Sequence, residues 1–319
     1  MKKVSILFVA LMGMVAASCS NDESLDSSVN LSSEQNAQAP VTVSVSGFAV
    51  EQGDFPDAPN ASGSEDRGTT RATTRAQSVS DYANVKYLTL AFYKSDGTEQ
   101  VKVTHTKGSM PEGDTFGEFS TSLPLGSYTM VVLGYKLFDG DEFTLTSANL
   151  AGFTGDVCET FAATQPVNIT SANAVELSAT LDRIVTKLQV VSTDGKTANV
   201  SKVRMTFAAG SRSFDPTTGL APSNTGSVST VGNSAGVGET SSSVGYVFLA
   251  TDEQTMNVTI ETLDADGNTI YSTVVANVPF KRNRATRLTG SMYDVSASAT
   301  AGGFQVNTTW LDEEDPINF

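Results

Sequence analysis

Histidine occurs once in the 319 residues, tryptophan once and cysteine twice, and Lys plus Arg number 20 against 35 Asp plus Glu. Each scarcity excludes something. A zinc site needs several Cys or His ligands, and nucleophile activation needs an imidazole beside the nucleophile. The single His105 supplies neither and is expected to face outward from a Thr- and Lys-rich strand. No metal, no cofactor and no enzymatic chemistry are therefore expected. A formal charge of −15 would repel a phosphate backbone, so nucleic acid is not an expected partner.

The N-terminus carries the strongest positive signal. Lys2 and Lys3 precede an uncharged apolar run over residues 4–15, followed by Ala16-Ala17-Ser18-Cys19. This is the pattern of a bacterial lipoprotein signal, long enough for export, short for a membrane span, and ending in small residues before an acylatable cysteine. Residues 1–18 are then the signal peptide and Cys19 the lipidated first residue. An ordinary secretory signal with an incidental cysteine is the competing reading, because Ala16 stands where leucine is more usual; both export the chain. Removal of Lys2 and Lys3 leaves 18 basic and 35 acidic residues, a net −17. Cys158 remains as the only thiol, so no intramolecular disulfide can form and stability must come from core burial. Residues 19–39 hold few large apolar side chains and are expected to form a flexible tether. Within it Ser20-Asn21-Asp22-Glu23 resembles the acidic tag that sends Bacteroidetes lipoproteins to the outer face of the outer membrane.

Strand periodicity dominates the rest. Val203, Met205 and Phe207 alternate with Lys202, Arg204 and Thr206; Met256, Val258 and Ile260 alternate with Asn257, Thr259 and Glu261. Each segment should bury one face and wet the other, as in an all-β protein of antiparallel sandwiches. Asp96-Gly97, Asp194-Gly195 and Asp266-Gly267 supply hairpin signals. Two tandem β-sandwich domains fit the spacing, residues 40–178 and 179–319, with the break between Val175 and Leu181. Residues 51–78 and 222–243, poor in bulky apolar side chains, are expected to be long exposed segments. The first carries Arg67, Arg71 and Arg75, and an arginine in extended, mobile chain is what a trypsin-like protease binds. Asp264-Ala265-Asp266-Gly267-Asn268 has its glycine too early for a calcium loop and is expected to be a hairpin turn. The basic cluster Lys281, Arg282, Arg284 and Arg287 either balances neighbouring carboxylates or meets the acidic residues 312–315 of another subunit.

The lipoprotein signal, the alternating segment at residues 41–48, Arg71-Ala72 and Arg75-Ala76, the strand at residues 85–93, and Asn283-Arg284-Ala285-Thr286-Arg287-Leu288-Thr289-Gly290 together resemble the fimbrillins of Bacteroidia. These are type V pilus subunits, with major-fimbrillin-like and anchor-type members. The resemblance implies two transthyretin-like sandwiches, a lipid-anchored precursor at the cell surface, and, in stalk subunits, cleavage after an arginine that releases the first strand. Residues 41–50 would be that strand, with Val41, Val43, Val45 and Phe48 inward, and the bond after Arg71 or Arg75 would be the scissile one. Other pilus subunits would be partners by strand exchange, the outer membrane a partner through the lipid, and a host or bacterial surface ligand the adhesive target. The C-terminus is the best donor strand, because Phe304, Val306 and Trp310 follow the flexible Ala301-Gly302-Gly303. The loop is longer than a minimal cleavage loop and offers three arginines, so an anchor-type subunit that keeps its first strand stays an alternative. A surface glycan-binding lipoprotein would share the acidity, the lipid and the sandwiches, but one tryptophan offers little for stacking sugar rings.

Replacing Cys19 with serine should abolish labelling by a fatty-acid probe and leave unprocessed precursor or soluble protein, since stable anchoring takes more than one acyl chain. Unchanged labelling would place the lipid elsewhere.

Overall fold

The alternating pattern folds into 19 strands in a computed structural model that describes residues 37–51, 74–77, 79–80, 82–222, 226–293 and 304–307. No helix occurs among the described residues. In chain order the strands are β1 (Gln38–Glu51), β2 (Thr74–Gln77), β3 (Tyr87–Lys94), β4 (Glu99–Thr106), β5 (Glu118–Pro124), β6 (Gly126–Tyr135), β7 (Phe143–Ser147), β8 (Leu150–Phe153), β9 (Phe161–Ile169) and β10 (Val175–Arg183). They continue as β11 (Thr186–Ser192), β12 (Lys202–Gly210), β13 (Ser213–Phe214), β14 (Gly226–Asn233), β15 (Ser242–Val247), β16 (Glu253–Leu263), β17 (Thr269–Lys281), β18 (Ala285–Gly290) and β19 (Gln305–Asn307).

The hydrogen-bonded path β2-β1-β10-β9-β6-β3-β4, with β5 also on β1, encloses a first core that includes Val41, Phe48, Leu88, Leu90, Phe92, Phe119 and Leu181. Two four-stranded sheets, β15-β11-β18-β19 and β14-β12-β16-β17, enclose a second that includes Leu188, Val203, Met205, Phe207, Val258, Ile260 and Leu288. Most pairs are antiparallel. Two are parallel, β1 with β10 and β11 with β18, within the otherwise antiparallel all-β architecture that the alternation predicts.

A third buried cluster explains why residues from Ala37 onward form one compact unit. The other faces of β3 and β6 contribute Ala91, Tyr93, Val131, Leu133 and Tyr135, and meet Phe153, Ile184, Val185, Phe214 and Phe248. Tyr135 stacks on Phe143 at 4.1 Å and Phe214 on Phe248 at 4.4 Å. β3 and β6 are thus buried on both faces, contrary to the one-sided burial expected, because the small sheet β13-β8-β7 and the residues after β10 cover what would otherwise be wet.

Other expectations shift. β1 starts inside the segment read as tether, and Ala39 is buried. The break placed at residue 178 falls inside β10; core membership changes between Leu181 and Leu188. Residues 222–243 are not one loop, since β14 pairs along β12 and buries Val228. An edge strand with one covered face needs few bulky side chains, and Ser and Thr suit it. Asp96-Gly97 and Asp266-Gly267 do turn hairpins, with φ of 85° and 87° at the glycines. Asp194-Gly195 does not, because the strands on either side, β11 and β12, belong to different sheets. Its aspartate accepts hydrogen bonds from Ser291 Oγ and from the backbone N–H groups of Met292 and Tyr293. His105 shares the inward side of β4 with Val101 and Val103 and stacks on Phe119 at 4.1 Å; burial lowers its pKa below the usual imidazole range.

Cys158 is buried, and burial pushes its thiol up to about 12. At pH 8 roughly one thiol in ten thousand is then thiolate. Iodoacetamide should leave native protein unmodified at Cys158 over hours and alkylate it within minutes in urea, as read by intact mass.

Candidate functional site: the first strand and its groove

β1 has both backbone edges occupied. On one side it runs parallel to β10, from Val41↔Val175 to Ala49↔Asp182. On the other, residues 38–44 pair antiparallel with β5 and residues 48–51 with β2. β2 and β5 have no other ladder partner among the described residues, and β10 meets β9 only at Asp182↔Ala162 and Arg183↔Phe161. Three strands are therefore assembled chiefly by β1.

Its inward residues are those the alternation selects. Val41, Val43, Val45 and Phe48 are 0–6% exposed. The step from odd to even numbering follows from a register shift between Val45 and Gly47, which restores Phe48 to the inner face. Burying the four stabilises on the order of 6–12 kcal/mol before entropy. The outer face is polar: Ser44 Oγ donates to Glu118 Oε2 at 2.5 Å, Ser122 Oγ to Gln38 Oε1 at 3.0 Å, and Ser46 Oγ to the Ala179 carbonyl at 3.1 Å.

Phe48 closes the far end. Its ring lies 4.9 Å from Tyr82 and 4.5 Å from Phe161, and a methyl group at Gly134 would come within 3.0 Å of it. Beside the Tyr82 and Phe161 rings lies a buried charge pair. Arg183 Nε is 2.5 Å from Glu159 Oε1, with the two side chains 8% and 7% exposed. Tyr82 Oη donates to the same carboxylate oxygen at 2.7 Å and accepts from Arg183 Nη2 at 2.9 Å. The guanidinium also sits 5.2 Å from the Phe161 ring and reaches Asn283 Oδ1 at 3.5 Å, in the turn between β17 and β18. No sequence pattern announces this cluster; Tyr82 stands 77 residues from Glu159 and 101 from Arg183, and each looks ordinary alone.

The remaining sequence-derived candidates separate. Arg75 lies in β2, paired with Val50, rather than in open loop, so its backbone is engaged in a ladder. Arg67, Arg71, Cys19 and Trp310 lie outside the described residues. Phe304 packs half-buried against the second core, its ring 2.8 Å from where a Gly290 side chain would begin, and Val306 pairs with Leu288 while staying 42% exposed. The C-terminal segment thus occupies the β18 edge of its own chain. In the basic cluster Lys281 pairs with Glu253 at 2.7 Å and Arg282 with Asp252 at 2.8 Å, while Arg287 donates to Gln189. The Asp264 turn is closed by its own side chain, which accepts from Asn268 and is held below the usual carboxylate range by those bonds.

A family model described as a family of unknown function, DUF6562, matches residues 56–314. The chain belongs to DUF6562. The match begins after β1, so the strand that assembles the groove lies outside it. No curated protein matches the chain. Solved structures similar to this DUF6562 chain include a candidate adhesin of Bacteroides ovatus, at 12% identity over 75% of this chain and 92% of that one, with a TM-score of 0.46. Another is the fimbrial anchor protein Mfa2 of Porphyromonas gingivalis, at 14% identity over 79% and 90%, with a TM-score of 0.45. A third is a candidate cell-adhesion protein of Bacteroides ovatus, at 14% identity over 87% and 100%, with a TM-score of 0.45.

Phe48→Ala should destabilise the protein by about 3–5 kcal/mol in urea unfolding, from lost burial and a cavity against Tyr82 and Phe161. Thr42→Ala, on the wet face of the same strand, should stay within about 0.5 kcal/mol.

Proposed function

We propose that this protein is a non-enzymatic structural and adhesive subunit of a surface pilus, exported as a lipoprotein and assembled by strand exchange. One observation carries the reading. β1 completes the first core from both edges, yet its covalent connection to the strands it serves runs through residues 52–73, which hold Arg67 and Arg71. Cleavage there converts an intramolecular strand into a non-covalent one, and an extended segment of another subunit can take its place by main-chain pairing with pockets for alternate side chains. Arg67 and Arg71 are the better scissile candidates, because Arg75 is committed to the β2–β1 ladder. The donor is the C-terminal segment, whose hold on its own chain within the described residues is one short edge strand and the half-buried Phe304 ring. Donation from one subunit to the next is a heterologous contact that does not close, so filaments rather than rings are expected.

The test uses protein cleaved between residues 52 and 73, either full-length or truncated after Gly303. Full-length protein should give ladders resistant to mild detergent and the truncated form should not. Ladders from the truncated form would place the donor elsewhere. Absence of ladders from both would favour an anchor subunit that retains β1 and caps the fibre at the membrane.

A further inference from the structure

The pocket that holds Phe48 has a property that the aliphatic pockets of β1 lack. Behind its aromatic walls lies a charged pair. Arg183 and Glu159 are almost wholly buried; the Phe161 ring lies 5.2 Å from the guanidinium and the Tyr82 hydroxyl bonds both groups, while Phe48 packs on the Tyr82 and Phe161 rings. A buried pair of this kind is costly to leave half-satisfied, and its balance depends on its hydrogen bonds and on what surrounds it. Tyr82 is the hinge of the arrangement, because one face meets the Phe48 ring while its hydroxyl bridges the carboxylate and the guanidinium. A small aliphatic side chain in place of Phe48 would take from Tyr82 one of its two ring neighbours, leaving Phe161 at 5.2 Å, and open a space beside both rings. The flat wall at Gly134 completes the shape, since any side chain there would meet the ring.

We propose that this pocket is the specificity determinant of the groove, admitting a replacement strand only if it brings an aromatic ring to the Phe48 position, and that Trp310 of a second copy is that ring. The proposal rests on the strand-exchange reading above. Trp310 closes the C-terminal end of its alternating segment as Phe48 closes β1, so a segment entering in the direction of β1 carries the indole toward Tyr82 and Phe161. Val306 enters the aliphatic part of the groove ahead of it. Tyr82, Glu159 and Arg183 act as positioning residues: they hold the aromatic wall and do not touch the backbone ladder of the incoming strand.

Peptide exchange tests this on full-length protein whose only change is a protease site introduced within residues 52–73, so that no arginine choice enters. After cleavage, incorporation of labelled peptides 41–50, 304–313 and 304–313 with Trp310→Ala is measured in competition, with hydrogen exchange followed at the amides around Tyr82 and Arg183. Peptides 41–50 and 304–313 should both incorporate and keep those amides protected. The W310A peptide should bind at least about 100-fold more weakly and, at saturation, leave the amides exchanging at least about tenfold faster. Equal binding and equal protection by the W310A peptide would overturn the aromatic requirement while leaving strand exchange intact. Incorporation of 41–50 but not 304–313 would overturn Trp310 as the occupant. Failure of both peptides would overturn strand exchange and this inference with it.

Discussion

One strand organises half of this molecule. β2 and β5 pair with β1 alone among the described residues, and β10 depends on it for all but two of its ladder positions. An extended chain has two hydrogen-bonding edges, and unpaired backbone groups taken out of water are expensive. A strand saturated on both edges and apolar on one face is therefore difficult to remove and easy to replace by another extended segment. The free energy that makes β1 part of the native fold is the same free energy a substitute strand would gain. What distinguishes the two is the covalent link through residues 52–73, and a link is something proteolysis can abolish.

The two cores are not independent bodies loosely joined. The third cluster places Tyr135 and Phe153 from the first half against Phe248 from the second, and Arg183 at the end of β10 reaches the turn that leads into β18. β18 is also the strand that carries β19. The route from the Phe48 pocket to the C-terminal strand is short: a ring, a phenol, a guanidinium, an amide and one strand. Contiguity is not coupling. It does place the groove and the C-terminal edge on one packed framework, so that neither can rearrange widely without disturbing shared neighbours.

Alternation made much of this fold legible because it reports which face a strand buries. It succeeded at residues 41–48, where Val41, Val43 and Val45 point inward, and at β12 and β16, where Met205 and Ile260 do. It failed where burial has another cause. β3 and β6 are covered on both sides by elements distant in sequence, a tertiary fact that no local period encodes. β14 is built from Ser, Gly and Thr because an edge strand can be, and such residues read equally as loop. His105 was misplaced by its polarity, although its spacing from Val101 and Val103 puts it on their face; an imidazole stacked on Phe119 is tolerated there because burial disfavours its charged form. At the site, the strand residues were visible and the Tyr82–Glu159–Arg183 cluster was not, since hydrogen bonds across 77 and 101 residues leave no pattern in a single sequence.

The contrast between the two ends of the chain would give the proposed strand exchange its direction. β1 buries four large or branched side chains completely and holds three neighbouring strands. Among the described residues β19 pairs with one strand through three residues, beside a half-buried Phe304, and Val306 stays 42% exposed. Freeing β19 therefore forfeits little burial, whereas emptying the β1 groove forfeits on the order of 6–12 kcal/mol and leaves β2, β5 and β10 with open edges. An empty groove is accordingly too unstable to serve as a waiting state. In the proposed exchange, replacement would therefore begin while β1 is still in place, with the incoming segment pairing at one end of β5 or β10 as the outgoing strand peels from that end. Such stepwise exchange keeps most ladder positions filled throughout. A closed chain would block its completion, because an uncut β1 refills any position it vacates faster than a second molecule can arrive.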